Sequence, residues 1–89
     1  YFERIDIEFP SEEREGIIHR LAKSRPGQID NLKLEKMDTS DGFRFLLANG
    51  TWLLVRFSGT EPILRIYAES DSPKRVQRLL AEGRKIVGI

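Results

Sequence analysis

At 89 residues the chain has room for one hydrophobic core, and its 39% hydrophobic and 33% charged residues mark a globular composition rather than a disordered or fibrous one. Fifteen basic residues against fourteen acidic ones, spread along the chain, leave a net charge of +1, so nothing in the overall charge asks for nucleic acid or a membrane surface, and any anion site must be local. The absence of cysteine excludes disulfides and thiolate metal sites, and the longest apolar runs, Phe45 to Ala48 and Trp52 to Val55, fall far short of the ~20 residues that cross a bilayer. No signal-peptide pattern opens the chain, and its start at Tyr1 rather than Met leaves room for an upstream part.

Ile5, Ile7 and Phe9 alternate with Asp6 and Glu8, which predicts a strand over residues 2 to 9 with one buried face. Pro10 stops it. Ser11 is placed to cap a helix, Glu12 and Glu13 suit that helix's positive end, and Ile17, Ile18, Leu21 and Ala22 give it an apolar stripe. Pro26 and Gly27 end it. Ile29, Leu32 and Leu34 suggest a second strand somewhere between Gln28 and Met37.

Phe43, Phe45 and Leu47 alternate after an Asp41-Gly42 turn, and Asn49-Gly50 supplies the two left-handed positions of a tight hairpin. Its second arm covers Trp52 to Phe57, and the β-branched and aromatic run Ile63 to Glu69 reads as the neighbouring strand. Ser72 as cap and Pro73 at the first helical position open a final helix, in which Val76, Leu79, Leu80, Gly83 and Val87 recur at spacings of three and four. The order strand, helix, four strands, helix predicts an α+β domain: a mainly antiparallel sheet with two helices on one face, spanning residues 1–89 without linker or repeat.

Most polar residues have simple structural readings. His19, the single histidine, sits among polar helical residues, and one histidine makes no metal site. Trp52, Phe43 and Phe45 are expected in the core, although aromatic strands can also stack on bases as in RNA-binding sheets. Lys74, Arg75 and Arg78 read as the solvated face of the last helix, and Asp38, Asp41 and Asp71 as turn residues or part of that helix's N-terminus.

One segment carries more than its fold requires. Arg56, Phe57, Ser58, Gly59, Thr60, Glu61 and Pro62 join two strands, and Arg65 follows on the second. A phosphate group needs convergent donors without bulk. Ser58 and Thr60 offer hydroxyls and amides, Gly59 admits close approach, and Arg56 and Arg65 are forks that can each take two phosphate oxygens. Glu61 could hold an arginine or accept a ligand hydroxyl. Spacing alone leaves this reading level with a plain Ser-Gly-Thr turn between solvated arginines, because the loop matches no general phosphate motif such as the P-loop.

The run from Arg56 to Glu69 closely resembles the C-terminal signature of the α-D-phosphohexomutase superfamily, of the phosphoglucomutase/phosphomannomutase type. Members read Arg-Pro-Ser-Gly-Thr-Glu-Pro, two variable residues, Arg, an aliphatic residue, Tyr and a short acidic stretch. With the preceding hairpin and the capped last helix, the likeness covers essentially the whole chain and identifies it with that family's fourth domain. The resemblance implies a TATA-box-binding-protein-like α+β fold, with substrate phosphate bound by Arg56, Ser58, Gly59 and Thr60 and joined by Arg65. It also implies a parent enzyme in the cytoplasm that interconverts hexose 1- and 6-phosphates through a bisphosphate. The phosphoserine, the Mg2+ and the sugar-reading loop would lie on three other domains, leaving no catalytic residue, metal or cofactor in this chain. Ser58 is thus expected to contact phosphate, not to carry it. Phe57 departs from the family's proline without removing a donor. The strand through Tyr67, Ala68 and Glu69 favours the glucose and mannose mutases over phosphoglucosamine mutase; a non-catalytic RNA- or ligand-binding module is the further alternative.

Overall fold

The computed structural model describes all residues, Tyr1–Ile89. Its elements in chain order are β1 (Phe2–Glu8), a 3-10 turn (Ser11–Glu13), α1 (Arg14–Lys23), β2 (Gln28–Ile29), β3 (Leu32–Asp38), β4 (Phe43–Leu47), β5 (Trp52–Phe57), β6 (Ile63–Glu69) and α2 (Pro73–Val87). All six strands join one antiparallel sheet in the order β1-β6-β5-β4-β3-β2. The α+β architecture agrees with the alternation in the sequence and is compatible with the TATA-box-binding-protein-like fold.

The period-two pattern determines which face each side chain joins. Leu53 and Val55 of β5, Leu64, Ile66 and Ala68 of β6, Phe45 and Leu47 of β4 and Ile7 of β1 point to one side. There they form a single core with Ile17 and Leu21 of α1 and Val76, Leu79, Leu80 and Val87 of α2. Both helices therefore cover the same face. Gly83 allows α2 to approach closely: a Cβ there would stand 2.8 Å from Ile66 Cγ2. Ser72 caps α2 by accepting a hydrogen bond from the Arg75 amide at 3.3 Å, and Gly88 ends it in the left-handed region at φ 81°. Arg20 of α1 then donates from Nε and Nη2 to the Val87 carbonyl at 3.0 and 2.7 Å, filling an acceptor that helix termini leave free and fastening α1 to α2.

Several local expectations change. The region from Gln28 to Met37 is two strands, not one, because Asp30 and Asn31 both take positive φ (50° and 65°) and turn the chain back on itself. Ser11 caps no helix; it opens the 3-10 turn, and α1 begins at Arg14 behind Glu13 without a side-chain cap. Ala22 is exposed rather than part of the buried stripe. Arg75 and Arg78 are not simply solvated, since both clasp the carboxylate of Asp30, Arg75 Nε at 3.0 Å and Arg78 Nε at 2.9 Å. Hydrogen bonding from Arg78 holds the Asp30 carboxyl below the usual carboxylate range, desolvation opposes this, and Arg75 adds to the lowering. This clasp ties the β2–β3 hairpin to α2.

The Asn49-Gly50 turn is as expected, with both residues left-handed (φ 62° and 71°). Gly42, at φ 91°, lies so near β5 that a Cβ would meet the Val55 carbonyl oxygen at 2.7 Å, so only glycine fits. The sheet face away from the helices is open. It carries Arg4, Asp6, Arg44, Trp52, Leu54, Arg56, Arg65 and Tyr67, with Phe2 packed between Trp52 and Tyr67 at ring distances of 5.9 and 6.1 Å. Trp52 is thus not a core residue. Phe45 is fully buried, and Phe43 is partly buried against the core.

Candidate functional site

The β5–β6 connection closes tightly before it opens into the loop. The Ser58 amide donates to the Ile63 carbonyl at 2.9 Å and the Ile63 amide to the Glu61 carbonyl at 2.8 Å, while the Phe9 amide donates to the Pro62 carbonyl at 3.0 Å and ties the loop to the end of β1. Ser58 is 9% exposed, and its hydroxyl faces inward across the turn, receiving the amides of Thr60 and Glu61 at a long 3.4 Å each. These contacts are weak enough to be exchanged for a better acceptor. The hydroxyl therefore shapes an arc of amides, and Thr60 presents its side chain from an exposed position.

The backbone of the turn does not require a glycine at Gly59. Its φ is not left-handed, and a Cβ built on it meets nothing within 4 Å. What glycine supplies is open space above the loop, as an approaching ligand would require. That space is a cleft of about 420 Å³ lined by Phe9, Ser11, Arg14 and the loop residues Ser58 to Pro62. Glu61 lines it too and is in no ion pair with an arginine.

The two predicted arginines stand together, but on the other side of the sheet from the cleft. Arg56 and Arg65 are direct cross-strand partners on the open face. Like charges placed opposite one another repel, and the structure only partly offsets this. Asp41 lies 3.5 Å from Arg56 Nε, with both side chains more than half exposed, and Asp6 lies 3.6 Å from Arg65 Nε while also serving Arg4 at 3.2 Å. Arg65 Nε is buried and makes no hydrogen bond, since 3.6 Å is beyond effective reach. A buried donor without a partner is costly and calls for an acceptor. The loop is therefore flanked by donors on both sides: a pair of arginines on the open face and Arg14 with Ser11 on the helix side. The structure groups Ser58, Gly59, Thr60 and Glu61 around one cleft and leaves Arg56 and Arg65 beside the base of the loop, outside the cleft's lining.

Arg14, Ser11 and Phe9 are lining residues that spacing alone did not single out. One signal was available. Arg14 is a cation in the first turn of a helix, where the dipole favours acids, and residues that break a local rule are expected at functional sites.

The model of the phosphoglucomutase/phosphomannomutase C-terminal domain matches residues 11–86. The chain belongs to this family. Among curated relatives, a phosphoglucomutase/phosphomannomutase of Thermococcus kodakarensis is 36% identical over 75 residues, 84% of this chain and 15% of that protein. A phosphopentomutase of the same organism is 32% identical over 79 residues, 89% of this chain and 17% of that protein. A probable phosphoglucosamine mutase of Methanopyrus kandleri is 38% identical over 84 residues, 94% of this chain and 17% of that protein. The chain thus spans about one sixth of the length of these family members.

Proposed function

We propose that this domain is the phosphate clamp of a phosphohexomutase, binding the substrate phosphate at the loop Ser58–Thr60 with Arg56 and Arg65, while the reacting groups sit on three further domains of the parent protein. The observation that carries the reading is an unobstructed Gly59 in a loop whose Thr60 and Glu61 amides are held only by long contacts to the Ser58 hydroxyl, beside two facing arginines of which one has a buried Nε that makes no hydrogen bond.

Phosphoryl transfer depends chiefly on positioning and charge neutralisation, so a clamp on the phosphate that is not reacting contributes directly to rate. A bisphosphate intermediate must turn around between half-reactions, and its clamp must accept either phosphate and release it. A shallow loop whose hydroxyl and amide contacts are long suits that demand better than a closed pocket. Closure of a terminal domain over the cleft would then exclude water.

The relatives named for different sugars share this domain at similar identity, which supports a site that reads phosphate rather than sugar. Glucose and mannose phosphates are the substrates we assign to the parent enzyme from the Tyr67–Glu69 strand; glucosamine phosphate is the alternative that the Methanopyrus relative supports. We assign the Mg2+ of the parent enzyme, with the reacting groups, to its other domains.

Calorimetric titration of the chain with glucose 1-phosphate, glucose 6-phosphate and glucose tests the assignment. Both phosphates are expected to bind and glucose not to, with Arg56→Ala weakening both phosphates roughly tenfold or more, the worth of a charge-assisted hydrogen bond. Equal binding of glucose, or phosphate binding indifferent to Arg56, would overturn it.

A further inference from the structure

The cleft on the helix side holds a cation that the family signature does not include. Arg14 begins α1, enters no ion pair and makes no side-chain hydrogen bond, yet it is held in place: its guanidinium carbon lies 4.7 Å from the centre of the Phe57 ring. Phe57 is itself fixed edge-on against Phe9, with ring centres 5.6 Å apart at 86°. An arginine that stacks on an aromatic ring keeps its N–H edges free for an anion, because the ring occupies only the face of the guanidinium. Arg14 is the one cation lining the cleft. Phe57 is also where this chain departs from the Arg-Pro-Ser-Gly-Thr pattern; proline has no aromatic ring on which an arginine could stack.

We propose that Arg14 is a further phosphate-binding residue, reaching the anion held by the Ser58–Thr60 loop from the helix side, and that Phe57 is the positioning residue that holds it there. The inference rests on the phosphate reading of the loop. It adds a second side to the site, so that the bound phosphate meets Arg14 across the cleft while Arg56 and Arg65 act from the open face of the sheet. Glu61, in the same cleft and without an arginine partner, accepts a hydroxyl of the ligand, which favours a phosphate monoester of a polyol over inorganic phosphate.

A double-mutant cycle tests this with glucose 6-phosphate and inorganic phosphate as probes. Arg14 is exposed, so Arg14→Ala is expected to leave the amide spectrum of the core unchanged while weakening glucose 6-phosphate about tenfold. Phe57→Leu is expected to weaken it about threefold, Phe57→Tyr, which keeps the ring, to preserve it, and the double variant Arg14→Ala/Phe57→Leu to bind no worse than Arg14→Ala alone. If Arg14→Ala binds like the parent while Arg56→Ala does not, this inference falls and the phosphate reading stands. If Phe57→Leu weakens binding equally with and without Arg14, the positioning role of Phe57 falls. If the parent chain binds neither probe, both readings fall together.

Discussion

On the helix side of the sheet Phe45, Leu53, Val55, Leu64 and Ile66 are shut away from solvent, whereas on the open side Arg56, Arg65, Trp52 and Tyr67 stand partly in water among charges that are only loosely paired. Both sets come from the same strands, one residue apart. The buried residues of the helix side are specified by packing and have their reason in the fold. The open side has residues whose reason the fold does not supply: two facing arginines, one of them with a buried Nε that makes no hydrogen bond. The contrast teaches where to look for function in a small domain: at the positions that packing leaves unexplained.

The comparison breaks most visibly in the core. Phe45→Ala is expected to cost about 3–5 kcal/mol, a large part of the stability of an 89-residue domain, and urea denaturation should show a lower midpoint or no folded baseline. On the open face, Arg65→Ala is expected to change the urea midpoint little, within about 0.5 kcal/mol, while weakening hexose phosphate binding by about 2 kcal/mol. A core-like loss of stability from Arg65→Ala would erase the distinction between the faces.

The Asp30 clasp lies between these extremes. Because its folded pKa is depressed, its contribution to stability is full above the ordinary carboxylate value of about 4 and is lost as pH falls through the folded value. Asp30→Asn should therefore lower the melting temperature by a few degrees at pH 7 and bring the variant and parent curves together toward pH 2. The smallest effect is expected at Gly59. Gly59→Ala should leave stability within about 0.5 kcal/mol, since the new Cβ meets nothing, yet reduce phosphate affinity severalfold by intruding on the loop. Unchanged affinity would remove the reason given for glycine at this position.

Much of this was legible in the sequence. The alternation of strands, the Asn49-Gly50 turn and the Ser72-Pro73 helix start each express a local rule that the fold obeys, and the phosphohexomutase signature from Arg56 onward is local too. What was hidden depended on contacts between distant residues. Asp30 and Asn31 formed a second hairpin in a segment with few apolar residues, and its clasp by Arg75 and Arg78 joins residues 45 and 48 positions apart. Trp52 reads as core from its apolar neighbours, but its phase along β5 places it with Arg56 on the open face. Arg14 belongs to a helix and Phe57 to a strand 43 residues later, so only the folded chain puts one over the other.

The most direct test of the central claim is a backbone amide NMR titration of the chain with glucose 1-phosphate and glucose 6-phosphate, beside Arg56→Ala. The account predicts shifts centred on Arg56 to Arg65 that are common to both ligands and are lost in the variant. The absence of shifts there at saturating ligand, or shifts centred instead on the aromatic patch of Phe2, Trp52 and Tyr67, would contradict it.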